Sequence, residues 1–186
     1  MILLRNRRAL RLALVGSVFF LFCAVTSRVQ ADDIFLDPYS IPDQFDDAHT
    51  ADEVQDSVVV YLRSDRKSFK YSPEWTQAIN AELVEVPGSA DVTFVYLAHM
   101  KGVPSFLRSV IKKKFPQDRA HWMLLDWKGV FASSYGFTKG AVDVLIFDRK
   151  GLLVYQSAVT EVEQSKLSEM IVVMRAALEA TAENVD

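Results

Sequence analysis

The sequence predicts an α/β protein, a three-layer α/β/α sandwich with a central mixed β-sheet. Short apolar runs rich in β-branched residues alternate with segments whose apolar residues recur at helical spacing. Further along, two strand-like runs are separated by a short turn that contains glycine, and a final helical pattern follows them. The predicted order is βαβαβ, then ββα. Right-handed crossovers and a hairpin then give a mixed sheet with helices on both faces.

The first two predicted strands flank a helix with a clear start. Residues 57–62 and 91–97 are apolar runs, typical of strands covered on both faces. Between them, Ser72, Pro73 and Glu74 provide an N-cap, a proline at the first helical position and an early acid. The residues of this helix expected to face the core are Trp75, Ala78, Ile79 and Leu83.

A second helix is predicted to end at Pro116. Lys112, Lys113 and Lys114 lie in its last turn, where cations interact favourably with the helix dipole. Its apolar residues are expected to form a core stripe: Val103, Phe106, Leu107, Val110 and Ile111.

The rest of the fold begins with a strand at residues 122–125 and a short helical or irregular stretch. Strands at 142–147 and 152–156 are predicted to form a hairpin. The last helix opens with Thr160 and Glu163 at capping-box spacing. Its apolar stripe consists of Val162, Leu167, Met170, Ile171, Met174 and Leu178.

Residues 1–31 have the pattern of a secretory signal peptide. A basic start leads into an apolar run at 12–25, and Val29 and Ala31 carry the small-residue pattern of a cleavage site. We expect cleavage after Ala31 and export to the periplasm of a Gram-negative cell; the alternative is an uncleaved membrane anchor. The segments expected after the leader are an acidic extension with loops or a short hairpin (32–56), the α/β domain (57–180) and a tail (181–186).

Removal of this leader would change the charge and the chemistry of the protein. The leader holds five of the 21 basic residues and none of the 24 acidic ones, so the remainder carries a formal charge of −8. Such a field disfavours nucleic acid and general polyanion binding. The leader also holds Cys23, the single cysteine. The mature protein would therefore have no disulfide, no thiolate nucleophile and no thiolate metal site.

Two segments of the second half resemble the peroxiredoxin-like form of the thioredoxin-like superfamily. In residues 125–137, a strand-end Asp, a turn Gly and a Tyr-Gly pair precede the next strand, and residues 147–155 resemble the hairpin that follows. Residues 102–115, followed by 122–126, are similar to the YtfJ-like group of periplasmic proteins. The resemblance extends over residues 41–178 and implies a thioredoxin fold.

The sequence departs from that pattern where active members carry their chemistry. Active members have a nucleophilic cysteine just after the first strand, where this chain has residues 63–69 without a cysteine. A serine cannot replace it, because its hydroxyl is scarcely ionised without a dedicated base. They also have a cis-proline before the strand that starts here near Val142, and residues 140–143 contain no proline. The resemblance therefore implies the fold without the activity.

One basic cluster precedes the helix near Ser72 and is the candidate ligand site. Unsatisfied N–H groups at a helix N-terminus, beside several cations, can bind an anion. The alternative is a solvated loop whose charges offset nearby acids. The cluster consists of Arg63, Ser64, Arg66, Lys67 and Lys70.

His99 and Met100 are the candidate metal ligands, as a soft pair for copper. The alternative is an ordinary loop histidine, because no second ligand follows at metal-site spacing. The seven glycines are scattered singly and form no phosphate loop, so we expect no nucleotide cofactor, and we assign no catalytic residues.

These observations predict a non-catalytic, exported binding or accessory protein. The expected partner is a periplasmic protein, a peptide or a small anion, with no nucleic acid, and with membrane contact only through the transient signal peptide. The alternative is a cysteine-independent or metal-assisted protein of redox or peroxide metabolism.

The predicted export gives a direct test. We expect Asp32 to be the first residue of the mature protein, because signal peptidase reads the small residues that precede it. N-terminal sequencing of the protein recovered from the periplasm checks this. A mature chain that retains Cys23 would contradict it.

Overall fold

A five-stranded mixed sheet and a separate two-stranded hairpin organise the computed structural model, which describes residues 33–180. The predicted leader and tail lie outside these residues. The strands are β1 (Ser40–Pro42), β2 (Ala48–Thr50), β3 (Val58–Ser64), β4 (Val92–His99), β5 (Leu124–Asp126), β6 (Val142–Phe147) and β7 (Leu153–Val159). The α-helices are α1 (Ser72–Leu83), α2 (Arg108–Lys112), α3 (Val130–Tyr135) and α4 (Gln164–Glu179).

The large sheet has the order β5-β4-β3-β6-β7. Strands β3, β4 and β5 are parallel, whereas β6 is antiparallel to β3 and β7 is antiparallel to β6. The mixed sheet predicted from the sequence is therefore confirmed. Strand β3 lies at its centre and all seven of its residues are buried, as the continuous apolar run predicted.

Helices cover both faces of this sheet. On one face, α1 and α4 pack through a cluster that includes Trp75, Ile79, Met170 and Met174. On the other face, α3 and the β1–β2 hairpin pack through a cluster that includes Tyr61, Phe131, Tyr135 and Phe147. The short hairpin expected in the acidic extension is present, with Ser40 opposite Thr50. Within residues 33–180, no helix is both long enough and apolar enough to cross a bilayer.

The predicted core stripe of the second helix is wrong. Helix α2 is short, and Phe106, Leu107 and Val110 are 76%, 38% and 54% exposed. The edge strand β5 has three residues and offers little surface for a helix to cover. Phe115 and Trp127 instead pack against the small core cluster at this edge.

The starts of two helices also differ from the prediction. Ser72 is the first residue of α1 and does not act as its N-cap, because Tyr71 occupies that position. Helix α4 begins after Glu163, and its capping box does not form. The carbonyl of Thr160 instead accepts a 2.7 Å hydrogen bond from the indole Nε1 of Trp75, which joins the approach to α4 to helix α1.

Asp126 shapes the turn that leads from β5 into α3. Its carboxylate accepts hydrogen bonds from the backbone N–H groups of Gly129 (2.7 Å), Val130 (2.9 Å) and Phe131 (3.1 Å). Gly129 has a φ of 74°, which glycine adopts without strain. The strand-end Asp and the turn Gly seen in the sequence thus build one buried helix start.

This turn predicts a selective loss of stability. We expect Asp126→Ala to lower the free energy of unfolding by about 2–3 kcal/mol, because buried donors lose their acceptor. Urea unfolding measures this value. Asp118→Ala is the matched control, because Asp118 accepts from one backbone N–H in an exposed turn. Equal effects of the two substitutions would contradict the assignment.

Candidate functional site

A cavity of about 440 Å³ opens at the carboxyl ends of the parallel strands β3 and β4. In open α/β sheets, ligands bind at this end of the strands. The wall is mainly apolar and includes Phe69, Met100, Val103, Leu107, Ile111 and Phe115. Polar groups reach the same cavity from Ser64, Asp65, Arg66, His99 and Lys114.

Asp65 holds the loop that follows β3. Its Oδ1 accepts hydrogen bonds from the backbone N–H groups of Lys67 (2.8 Å) and Ser68 (2.9 Å), and its Oδ2 accepts from that of Gly140 (3.0 Å). Burial acts to raise the pKa of Asp65, but these hydrogen bonds outweigh it and lower the pKa below its ordinary value. The carboxylate therefore stays ionised and fixes the loop, with Arg66 exposed at the cavity.

The structure divides the predicted basic cluster. Arg63 is a fully buried core residue, which corrects its placement in a solvent-facing anion site. Ser64 is also buried, but it lines the cavity together with Arg66. The ammonium group of Lys70 lies 4.6 Å from the ring centroid of Tyr71. Lys67 is exposed and is not part of the cavity wall.

Arg63 forms a buried ion pair with Asp143, its cross-strand neighbour on β6. The Nη2 and Nε atoms donate to Oδ2 of Asp143 at 3.0 and 3.3 Å. Burial lowers the pKa of Arg63, and the nearby carboxylate of Asp143 opposes this. The backbone N–H of Thr138 donates to the same Oδ2 at 3.1 Å. The pair therefore joins β3 to the loop before β6.

This ion pair occupies the region where the resemblance implied the cysteine and the cis-proline. Residues 33–180 contain no cysteine and no cis peptide bond. The guanidinium of Arg63 lies 5.5 Å from the ring centroid of Phe137, and its Nη1 has no hydrogen-bond partner in the described structure. The guanidinium of Arg63 is thus held between the carboxylate of Asp143 and the ring of Phe137 at this edge of the sheet.

His99 is the last residue of strand β4 and lies near Arg63, since both contact the ring of Phe137. Its ring stacks on Phe137 at 4.1 Å between centroids, and its Nδ1 has no hydrogen-bond partner among the described groups. Burial lowers the pKa of His99, although the charge of Asp126 opposes the shift. The imidazole is therefore neutral at neutral pH.

The predicted metal pair of His99 and Met100 comes together at the cavity, since both residues line its wall. Within residues 33–180, however, no group of three or more His, Cys, Asp or Glu side chains is arranged to hold a metal ion.

Sequence reasoning missed Asp143 and Phe137, which organise the site. The available signal was an acid at the second position of an otherwise apolar strand, Val142–Phe147. A buried charge needs a partner, and Arg63 at the end of the other apolar strand was the matching cation.

The ion pair predicts a strongly non-additive double-mutant cycle. We expect Arg63→Met or Asp143→Leu alone to lower the free energy of unfolding by about 3–5 kcal/mol, because each leaves a buried charge unpaired. The double variant should lose less than the sum of the two. Urea unfolding of the four proteins measures the coupling. Additive losses would show that the pair does not act as a unit.

No family model matches the chain, and no curated protein matches it significantly. Solved structures do match. A Bacteroides thetaiotaomicron protein described as a protein disulfide isomerase has a TM-score of 0.54 and 12% identity, over 78% of this chain and 89% of that one. A Chlorobium tepidum protein described as the thiol:disulfide interchange protein DsbE has a TM-score of 0.51 and 16% identity, over 78% and 96%.

A third similar structure is the exposed lipoprotein thioredoxin of Streptococcus pneumoniae strain TIGR4. Its TM-score is 0.50 at 11% identity, over 73% of this chain and 98% of that one. Identities this low are evidence for the fold alone. The chain therefore has a thioredoxin-like fold.

Proposed function

We propose that this protein is an exported, non-catalytic thioredoxin-fold protein that binds an amphipathic anion or the carboxylate end of an apolar peptide. The cavity between the loop after β3 and segment 100–115 is the proposed site. The observation that carries the proposal is an apolar cavity with two cations, Arg66 and Lys114, at its wall. Its volume of about 440 Å³ suits a small molecule or a few side chains.

The chemistry of the wall defines the ligand class. Phe69, Ile111 and Phe115 offer apolar surface for a chain or a side chain. The guanidinium of Arg66 matches a carboxylate in shape and charge, and such charge-assisted hydrogen bonds are stronger than neutral ones.

Binding without thiol exchange follows from the loop after β3. Two of the structural neighbours are described as proteins of disulfide chemistry, which uses cysteine thiols. Residues 64–68 of this chain form a rigid turn around Asp65 and contain no cysteine. The absence of cysteine from this turn supports a binding role at this edge of the sheet.

Sequence features support three further parts of this proposal: export, the peroxiredoxin-like form and the YtfJ-like group. The signal-peptide pattern of residues 1–31 supports export to the periplasm. The Asp-x-x-Gly turn and the Tyr-Gly pair in residues 125–137 support the peroxiredoxin-like form, and residues 102–115 support the YtfJ-like group.

Two adjacent cations provide the test. Arg66 and Lys67 are both exposed, but only Arg66 lines the cavity. We expect Arg66→Ala to weaken dodecanoate binding by about tenfold or more, because one charge-assisted hydrogen bond contributes about 1.5–3 kcal/mol. Lys67→Ala should leave the affinity unchanged. Isothermal titration calorimetry with dodecanoate measures both.

Dodecanol is the matched probe without the carboxylate. It should bind the wild type and Arg66→Ala equally, because it makes no charged contact. Failure of the wild type to bind dodecanoate, or equal losses in the two variants, would rule out the proposed site.

A further inference from the structure

An apolar and basic surface lies on the outer side of residues 101–115, which we call the basic segment. Phe106 and Val110 are 76% and 54% exposed, and neither lines the cavity. The sequence pattern predicted that both side chains would be buried in the core. Residues four apart in a helical stretch lie on one face, and exposed apolar side chains on one face favour an interaction surface.

The charged side chains that this segment itself contributes are all of one sign. Residues 92–117 contain no Asp or Glu, and the basic segment carries Lys101, Arg108, Lys112, Lys113 and Lys114. Lys112 forms an ion pair with Asp46, while Lys113 is exposed. The guanidinium of Arg108 lies 5.0 Å from the ring centroid of Trp127. A local positive surface thus stands on a chain that is otherwise acidic.

The shape of the surface favours a bilayer over a peptide. A peptide or a helix binds in a groove, whereas Phe106 and Val110 project from a short, exposed helical segment. A lipid interface accepts projecting apolar side chains while nearby cations contact anionic headgroups.

We propose that the basic segment binds reversibly to an anionic lipid bilayer. Phe106 and Val110 enter the boundary between headgroups and acyl chains, and Lys101, Arg108 and Lys113 contact the headgroups. The acidic net charge of the protein does not prevent this, because charges beyond a Debye length of about 8 Å at physiological salt are largely screened. The inference goes beyond the proposed function and does not depend on the cavity being occupied.

Vesicle co-sedimentation of the processed, exported protein tests the proposal. We expect phosphatidylglycerol vesicles to bind the wild type at least about tenfold more tightly than phosphatidylcholine vesicles, and high salt to remove the difference. Phe106→Ser should weaken binding to phosphatidylglycerol vesicles. The control Val172→Ser alters an equally prominent apolar residue, 68% exposed on α4, and should leave binding intact.

Depth-dependent quenching measures directly whether residue 106 enters the bilayer, in protein with or without the leader. Brominated phosphatidylglycerol should quench the added fluorescence of Phe106→Trp and should not quench that of Val172→Trp. Equal binding to both lipids, equal effects of the two serine variants, or no quenching at position 106 would each overturn the proposal. Dodecanoate affinity should be unchanged in Phe106→Ser, so the outcomes for the two sites are separable.

Discussion

The buried ion pair between Arg63 and Asp143 is the interaction on which the end of the sheet beside the cavity depends. It joins the end of the central strand β3 to the start of β6. Two charges taken out of water are stable only when they are paired and hydrogen-bonded, so separating β3 from β6 here would leave a buried charge unpaired. The backbone N–H of Thr138 and the ring of Phe137 complete the pair from the loop before β6.

A second interaction links the loop after β3 to the loop before β6. Asp65 binds the backbone of its own turn and also accepts from Gly140 in the opposite loop. The two loops are thus linked by a network of hydrogen bonds to one carboxylate. These hydrogen bonds hold the two loops together beside the cavity.

The basic segment, which includes the short helix α2, contributes to both proposed surfaces. Val103 and Ile111 face inward and line the cavity, while Phe106 and Val110 face solvent. Because β5 is short, the sheet cannot bury both sides of this segment. One side therefore contributes to the cavity, and the other presents apolar and basic groups to the surroundings.

The amino-acid pattern alone determined the alternation of strands and helices, the all-buried character of β3 and the hairpin of β6 and β7. These features depend on local periodicity and turn chemistry, which act over a few neighbouring residues. The absence of cysteine from residues 33–180, and with it of thiol chemistry there, was also evident from the sequence.

Only the tertiary structure decided what the charged and apolar residues of the site do. Arg63 resembles its neighbour Arg66 in sequence, but the alternation of side chains along β3 turns Arg63 toward Asp143, 80 residues away. Phe106 follows the same helical spacing as a core residue, but no part of the sheet lies beneath it. Both outcomes depend on which strands are neighbours and how far each one extends, and these are long-range properties that local pattern does not encode.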